Sequence, residues 1–119
     1  MSTRNKVIIE KVNAAFARND VETLLAHCTD DFEWTMVGSE GVRGKDAVRK
    51  WMASAPPEAP KFTVDTVVAE GDYVTCIGDM TMNEKGTVVP YSYCDVWRFR
   101  GDKIAELRAF VIKTEQVPA

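Results

Sequence analysis

The sequence predicts an α+β fold in which three N-terminal helices pack on the concave face of a cone-like, curved antiparallel β-sheet (a half-barrel). Two observations predict it. Helical patterns occupy the first half of the chain, with one strand inserted among them, and everything after residue 60 alternates as strands do. The chain has 119 residues, 45% of them hydrophobic, which suits one core, so we assign residues 1–119 to a single domain.

The helices are predicted from apolar residues that recur at helical spacing. The first runs from Thr3 to Arg18, and Asp20 can cap a short second helix that ends at residues 29–31. The third covers residues 45–54 and ends at a proline-rich stretch, because proline cannot continue a helix. Their predicted inward-facing residues include Val12, Phe16, Leu24, Leu25, Cys28, Val48, Trp51 and Met52.

The strands are predicted from alternating apolar and polar residues. They cover residues 32–37, 61–70, 73–82, 87–99 and 104–112. The first of them has Trp34 and Met36 on its apolar face and is followed by a glycine-rich loop at 38–44. Gly71 and Asp72 form a hairpin signal.

Asp95 is the most informative residue, because strand alternation places it in a row of aromatic side chains. That row is Tyr91, Tyr93, Asp95, Trp97 and Phe99. Desolvation there should raise the pKa of the Asp95 carboxyl. The alternative is a structural role, in which Asp95 pairs with Arg98, Arg108 or a backbone donor. Of these, Arg98 is a poor partner, because it points to the opposite face of the strand. We expect Asp95 to hydrogen-bond a ligand or to act as an acid catalyst.

A second carboxylate, Asp79, lies in the neighbouring strand, and both faces of that strand are mixed. Alternation therefore allows Asp79 either to face Asp95 as an acid–base pair or to point to solvent. The only histidine, His27, is expected at the surface or at a helix cap.

Composition excludes several classes of function. The net charge of −3 and the scattered basic residues predict no nucleic-acid partner, and no apolar run is long enough to predict a membrane span. No signal-peptide pattern opens the chain, so a cytoplasmic location is expected. The three cysteines lack metal-ligand spacing and are interpreted as buried free thiols, and no metal or organic cofactor is expected.

Three segments resemble the nuclear transport factor 2-like superfamily, and within it the SnoaL-like and ketosteroid isomerase-like proteins. They are "ARND", "CTDDFEWTMVGSEGVRGKDAVRKW" and "CDVWRFRGDKIAELRAF", in the order typical of that superfamily. The resemblance spans Thr3 to Ile112 and implies the cone-shaped fold. The superfamily includes isomerases, cyclases, epoxide hydrolases, dehydratases and binding proteins, so the resemblance alone does not select a reaction.

When the functional residues of the ketosteroid isomerases are assigned to this sequence one by one, only part of the set is present. Asp95 matches the protonated aspartate of those enzymes, whereas the base position falls on Met36 and the tyrosine position on Val12. Neither side chain can perform the role implied there. Steroid isomerisation is therefore not expected. The acidic residue implied by the epoxide hydrolases near the end of the last strand is also missing from "AFVIK".

These observations predict a protein that binds a small hydrophobic or aromatic molecule in the cone, with acid–base chemistry of the isomerase, cyclase or dehydratase type as an additional option. The alternative is a non-catalytic dimeric module with a filled cavity. Asp95 is the candidate catalytic residue, and the expected ligand-binding residues are Phe16, Trp34, Met36, Trp51, Met52, Tyr93, Asp95 and Trp97. A homodimer is expected through the outer sheet face, because no fourth helix is available to cover it.

Overall fold

The computed structural model describes residues 2–54 and 61–114, which form three helices and seven strands. The helices are α1 (Ser2–Ala17), α2 (Val21–Ala26) and α3 (Lys45–Ala53). The strands are β1 (Cys28–Met36), β2 (Gly41–Arg43), β3 (Lys61–Phe62), β4 (Thr66–Glu70), β5 (Tyr73–Glu84), β6 (Thr87–Arg100) and β7 (Lys103–Lys113). The predicted α+β class is confirmed.

All seven strands belong to one curved, unclosed sheet in the order β2-β1-β7-β6-β5-β3, with β4 also paired to β5. The sheet is not antiparallel throughout, because β1 runs parallel to β7. The other pairs are antiparallel. Strand β1 reaches β7 from the helical half of the chain, and no tight turn joins the two strands to impose an antiparallel direction.

Three local predictions were wrong. Strand β1 begins at Cys28, so residues 29–31 continue into a strand and do not end the helix. The glycine-rich loop contains β2, which pairs with β1. The strand expected over 61–70 is split into β3 and β4, which pair with β5 in registers that differ by one residue, so that residues 63–65 form an irregular segment between them.

The core lies between the helices and the concave face of the sheet. Val12 of α1, Leu24 and Leu25 of α2, and Val48 of α3 are all buried, together with Trp97 of β6. The predicted cap of α2 is confirmed, since the Asp20 carboxylate accepts from the Thr23 backbone N–H at 3.2 Å. Burial of these apolar side chains supplies the main driving force for docking the helices on the sheet.

The convex face of the sheet has no helix over it among the described residues and exposes several apolar side chains. These are Val68, Tyr73, Ile77 and Ile112, with the half-buried Cys94, Val96 and Phe110 between them. Arg98 also lies on this face, where it pairs with Glu106 at 3.2 Å. The prediction that Arg98 points away from Asp95 is therefore confirmed.

Candidate functional site

A cavity of about 950 Å³ lies between the concave face of the sheet and helices α1 and α3. Aromatic rings and methionine side chains form most of its wall. The exposed lining residues, which mark the side that opens to solvent, are Asn19, Ser54, Lys61, Asn83, Glu84 and Val88. A filled interior, which the alternative prediction required, does not agree with a cavity of this size.

Seven of the eight predicted ligand-binding residues line this cavity. They are Phe16, Trp34, Met36, Trp51, Met52, Tyr93 and Asp95. Trp97 does not line it, because the Trp97 side chain is fully buried beneath Phe16, with ring centroids 6.2 Å apart. Trp97 therefore supports the cavity wall from behind, and we do not propose it as a ligand contact.

Asp95 occupies the middle of a row of residues that crosses the concave face. Its cross-strand neighbours are Cys76 on β5 and Ala109 on β7, and Ala109 is in turn paired with Met36 on β1. Within residues 2–54 and 61–114, Asp95 makes neither a hydrogen bond nor an ion pair. Burial raises the pKa of this carboxyl to about 7. Asp95 can therefore be neutral or ionised near neutral pH.

Tyr93, the next residue along β6 on the same face, uses its hydroxyl to hold the segment between β3 and β4. The hydroxyl donates to the Thr63 carbonyl at 2.6 Å. Gly78, paired with Tyr93 across the sheet, leaves room for this contact, because a Cβ atom at position 78 would overlap the Thr63 carbonyl oxygen. Burial raises the pKa of Tyr93, so the phenol stays protonated and the hydrogen bond is retained.

Asn13 is a cavity residue that the sequence reasoning missed. It lies on α1, lines the cavity and directs its amide nitrogen at the Cys76 sulfur, 3.8 Å away. Because Cys76 is the cross-strand neighbour of Asp95, Asn13 lies in the polar part of the cavity. Helical spacing could have indicated it, since Asn13 is three residues before Phe16, which shares its face.

The aromatic wall is built from rings on separate elements. Phe16 of α1 packs edge-on against Trp34 of β1 at 5.6 Å, and Trp34 packs at 87° against Trp51 of α3 at 4.9 Å. On the other side, Phe62 of β3 packs edge-on against Tyr93 at 6.4 Å. Edge-to-face contacts of this kind hold the rings in fixed orientations.

The sequence allowed Asp79 and Asp95 to form an acid–base pair, and the structure does not contain this pair. Asp79 lies on the convex face, where its carboxylate accepts from the Ser92 hydroxyl at 2.8 Å. His27 is the C-cap residue of α2, as one of its two expected roles required. Val12 is fully buried, and Met36 lines the cavity without a group that could accept a proton.

The described residues contain no cluster of histidine, cysteine, aspartate or glutamate suited to holding a metal ion. Cys28 and Cys76 are buried and Cys94 is half-buried, and burial raises the pKa of the Cys28 thiol to about 12. Across the described segments, none of the helices combines the length and the hydrophobicity that crossing a bilayer would require.

The fold is shared with many solved structures. One is a nuclear transport factor 2-like protein of unknown function from Burkholderia pseudomallei K96243, with a TM-score of 0.84, 21% identity, and coverage of 92% of this chain and 90% of that one. Another, from Kribbella flavida DSM 17836, carries ketosteroid isomerase as a provisional name; its TM-score is 0.82 at 13% identity, covering 99% of this chain and 84% of that one.

A third structure is an LEH-like epoxide hydrolase of M. tuberculosis, with a TM-score of 0.81, 18% identity, and coverage of 92% of this chain and 84% of that one. At these identities the likeness concerns the fold alone. No curated protein sequence matches the chain. The family profile of the SnoaL-like domain matches residues 9–107. The chain therefore belongs to the SnoaL-like family, and it shares its fold with nuclear transport factor 2-like proteins.

Proposed function

We propose that the cavity binds a small apolar or aromatic molecule, with Asp95 as its polar anchor. The observation that carries the proposal is that a carboxyl with no hydrogen-bond or ion-pair partner among the described residues faces an apolar cavity of about 950 Å³. Buried carboxyl groups are nearly always hydrogen-bonded or paired, so the missing partner is best supplied by a ligand. The aromatic rings of Phe16, Trp34 and Trp51 provide the apolar contacts.

Acid–base chemistry on the bound molecule, of the isomerase, cyclase or dehydratase type, is compatible with this site. A carboxyl whose pKa lies near 7 can give up or accept a proton at neutral pH, as a general acid or base must. Two solved structures of the same fold are named as an isomerase and an epoxide hydrolase, and these names support acid–base chemistry as the general class of reaction. Because Met36 offers no second proton-transfer group beside Asp95, non-catalytic binding is the alternative function.

The experiment begins with mass spectrometry of the purified protein under native conditions, followed by extraction of any small molecule that travels with it. The wild-type chain should carry an apolar compound that Trp51→Ala retains less well, because the Trp51 ring lines the cavity. Asp79→Asn, on the convex face, is the matched control and should retain it. An empty wild-type cavity that also takes up no aromatic probe would contradict the proposal.

We also propose that the protein acts in the cytoplasm as a homodimer of single-domain chains. Support for the dimer comes from the convex face, where Ile77, Tyr73 and Ile112 form an apolar surface. Apolar surfaces of this kind commonly mark protein–protein contacts.

A further inference from the structure

Several polar groups around Asp95 leave hydrogen-bond acceptors open to the cavity, and two of their donors are directed at the protein. The Tyr93 hydroxyl proton goes to the Thr63 carbonyl at 2.6 Å, and the Asn13 amide nitrogen points at the Cys76 sulfur. The indole N–H of Trp34 is buried and has no hydrogen-bond partner among the described residues. A ligand therefore finds acceptors in the Tyr93 oxygen, the Asn13 amide oxygen and the Asp95 carboxyl. Donors also line the cavity, in the second Asn13 N–H and in the Lys61 and Thr81 side chains.

The charged groups around the cavity also favour a ligand group that donates hydrogen bonds. Of the residues that line it within the described chain, only Lys61, Glu84 and Asp95 carry a formal charge when ionised. Lys61 and Glu84 are exposed at the opening, where Glu84 accepts a hydrogen bond from the Tyr91 hydroxyl. Asp95 is therefore the single ionisable carboxyl of the interior, and no described cation lies inside to neutralise it.

The apolar wall is also electron-rich. The faces of aromatic rings carry negative charge density and attract cations within about 6 Å. Phe16, Trp34, Trp51 and Phe62 present such rings to the cavity. The methionine sulfurs of the wall are polarisable acceptors and no donors. Wall and polar groups therefore favour a positively charged ligand group that donates hydrogen bonds.

We propose that the cavity takes a hydrophobic amine, with its protonated nitrogen bound to Asp95 and its apolar body against the aromatic wall. An ammonium group has three donors and no acceptor, which complements the open acceptors of Tyr93, Asn13 and Asp95. Charge-assisted hydrogen bonds are about twice as strong as neutral ones. An anionic ligand would instead bring a second negative charge beside Asp95. The inference rests on the proposed function and narrows its ligand class.

Proton linkage gives the proposal a distinct signature. An ammonium ion binds the ionised form of Asp95, so amine affinity should fall about tenfold per pH unit below about pH 7 and stay level above it. The other titratable groups facing Asp95 are Cys76 and Tyr93, and burial raises the pKa of both, that of Cys76 to about 11. Neither the Cys76 thiol nor the Tyr93 phenol changes its charge in the pH range in which Asp95 titrates. A neutral carbonyl ligand needs the proton of Asp95, so its affinity would instead fall as the pH rises above about 7.

The test uses three probes with one ring system: 2-naphthylmethylamine, 2-naphthylmethanol and 2-naphthoate, titrated calorimetrically into the wild-type protein at about pH 8. The amine should bind at least about tenfold more tightly than the alcohol, and the naphthoate more weakly than both. In Asp95→Asn the preference for the amine should disappear. Asp79→Asn, which removes a carboxylate from the convex face, should preserve it.

The outcomes separate this inference from the proposed function. If the alcohol binds as well as the amine, or if the amine preference survives in Asp95→Asn, the amine assignment is overturned while cavity binding stands. If none of the probes binds the wild type at about millimolar concentration, cavity binding of aromatic molecules fails, and the amine assignment fails with it. Should Asp95→Asn not fold, the pH dependence of the wild type decides alone: amine affinity that rises on acidification contradicts the proposal.

Discussion

Met36 of β1 and Asp95 of β6 lie in the same row of the concave face, with Ala109 of β7 between them as the cross-strand partner of both. The row therefore places a carboxyl at Asp95 and a thioether at Met36, and a thioether cannot take a proton. This relationship defines what the site can do. Among the described residues the row holds one carboxyl, so acid and base roles cannot be divided between two carboxyl groups within it.

The first prediction concerns steroid chemistry. We expect the protein not to isomerise a Δ5-3-ketosteroid appreciably, because removal of a general base alone usually costs about 10²–10⁴-fold in rate. The absorbance of the conjugated product at saturating steroid measures this directly. Turnover within about a hundredfold of an authentic isomerase would show that Met36 does not occupy the base position.

The second prediction concerns stability and pH. The pKa of Asp95 in the folded state, about 7, lies above its ordinary value of 3.8, so the unfolded chain loses this proton first as pH rises. Asp95 therefore lowers the free energy of unfolding progressively between about pH 4 and pH 7, by a few kcal/mol in total. Asp95→Asn, which does not titrate, should be tolerated and should become increasingly more stable than the wild type across that window.

Urea unfolding of the two proteins at several pH values checks this, because the other carboxyl groups cancel in the difference. Asp79→Asn serves as the control, since Asp79 is exposed and already hydrogen-bonded. A stability difference between Asp95→Asn and wild type that does not change with pH would mean that Asp95 is not desolvated.

The third prediction concerns the close approach at Gly78. Gly78→Ala should destabilise the fold by about 3 kcal/mol or more, because the new methyl group overlaps the Thr63 carbonyl oxygen and displaces the segment that Tyr93 holds. Gly71→Ala is the comparison: its φ of +56° is strained for alanine, but its surroundings are open. That change should cost only about 1–2 kcal/mol. If thermal unfolding shows that Gly78→Ala and Gly71→Ala lose equal stability, the contact at Gly78 is not tight.

The fourth prediction concerns assembly. Ile77→Lys places a charge in the apolar convex face and should convert the proposed dimer to monomer. Val7→Lys, at a comparably exposed valine on α1, should leave assembly unchanged. Sedimentation velocity at tens of micromolar distinguishes the two states. A wild-type monomer at that concentration contradicts the dimer.

Much of the fold could be predicted because its signals are local. Helical spacing located α1 and α3, and alternation placed Tyr93, Asp95 and Trp97 on one face of β6. The parallel pairing of β1 with β7 could not be predicted, because it depends on how distant segments meet. Strand β2 was missed because its three residues lie among glycines, where propensity favours a loop.

The site was predicted only in part for a similar reason. Alternation identifies which side chains share a strand face, but not whether that face is open or covered. Trp97 and Asp95 share a face, yet Phe16 packs over Trp97 while the cavity opens at Asp95. Asn13 was missed because a polar residue beside an apolar stripe is normally assigned to solvent. The face of Asp79 became clear only from its pairing with Ser92.

The central claim is that Asp95 is a desolvated carboxyl with no hydrogen-bond or ion-pair partner among the described residues, placed to receive a ligand. Its most direct test is an NMR titration of the Asp95 carboxyl carbon in the protein freed of ligand, assigned by its loss in Asp95→Asn. The account predicts a midpoint near pH 7. A midpoint at or below about 3.9 would show that Asp95 is ionised and paired within the protein, and that the acid is a structural element of the sheet.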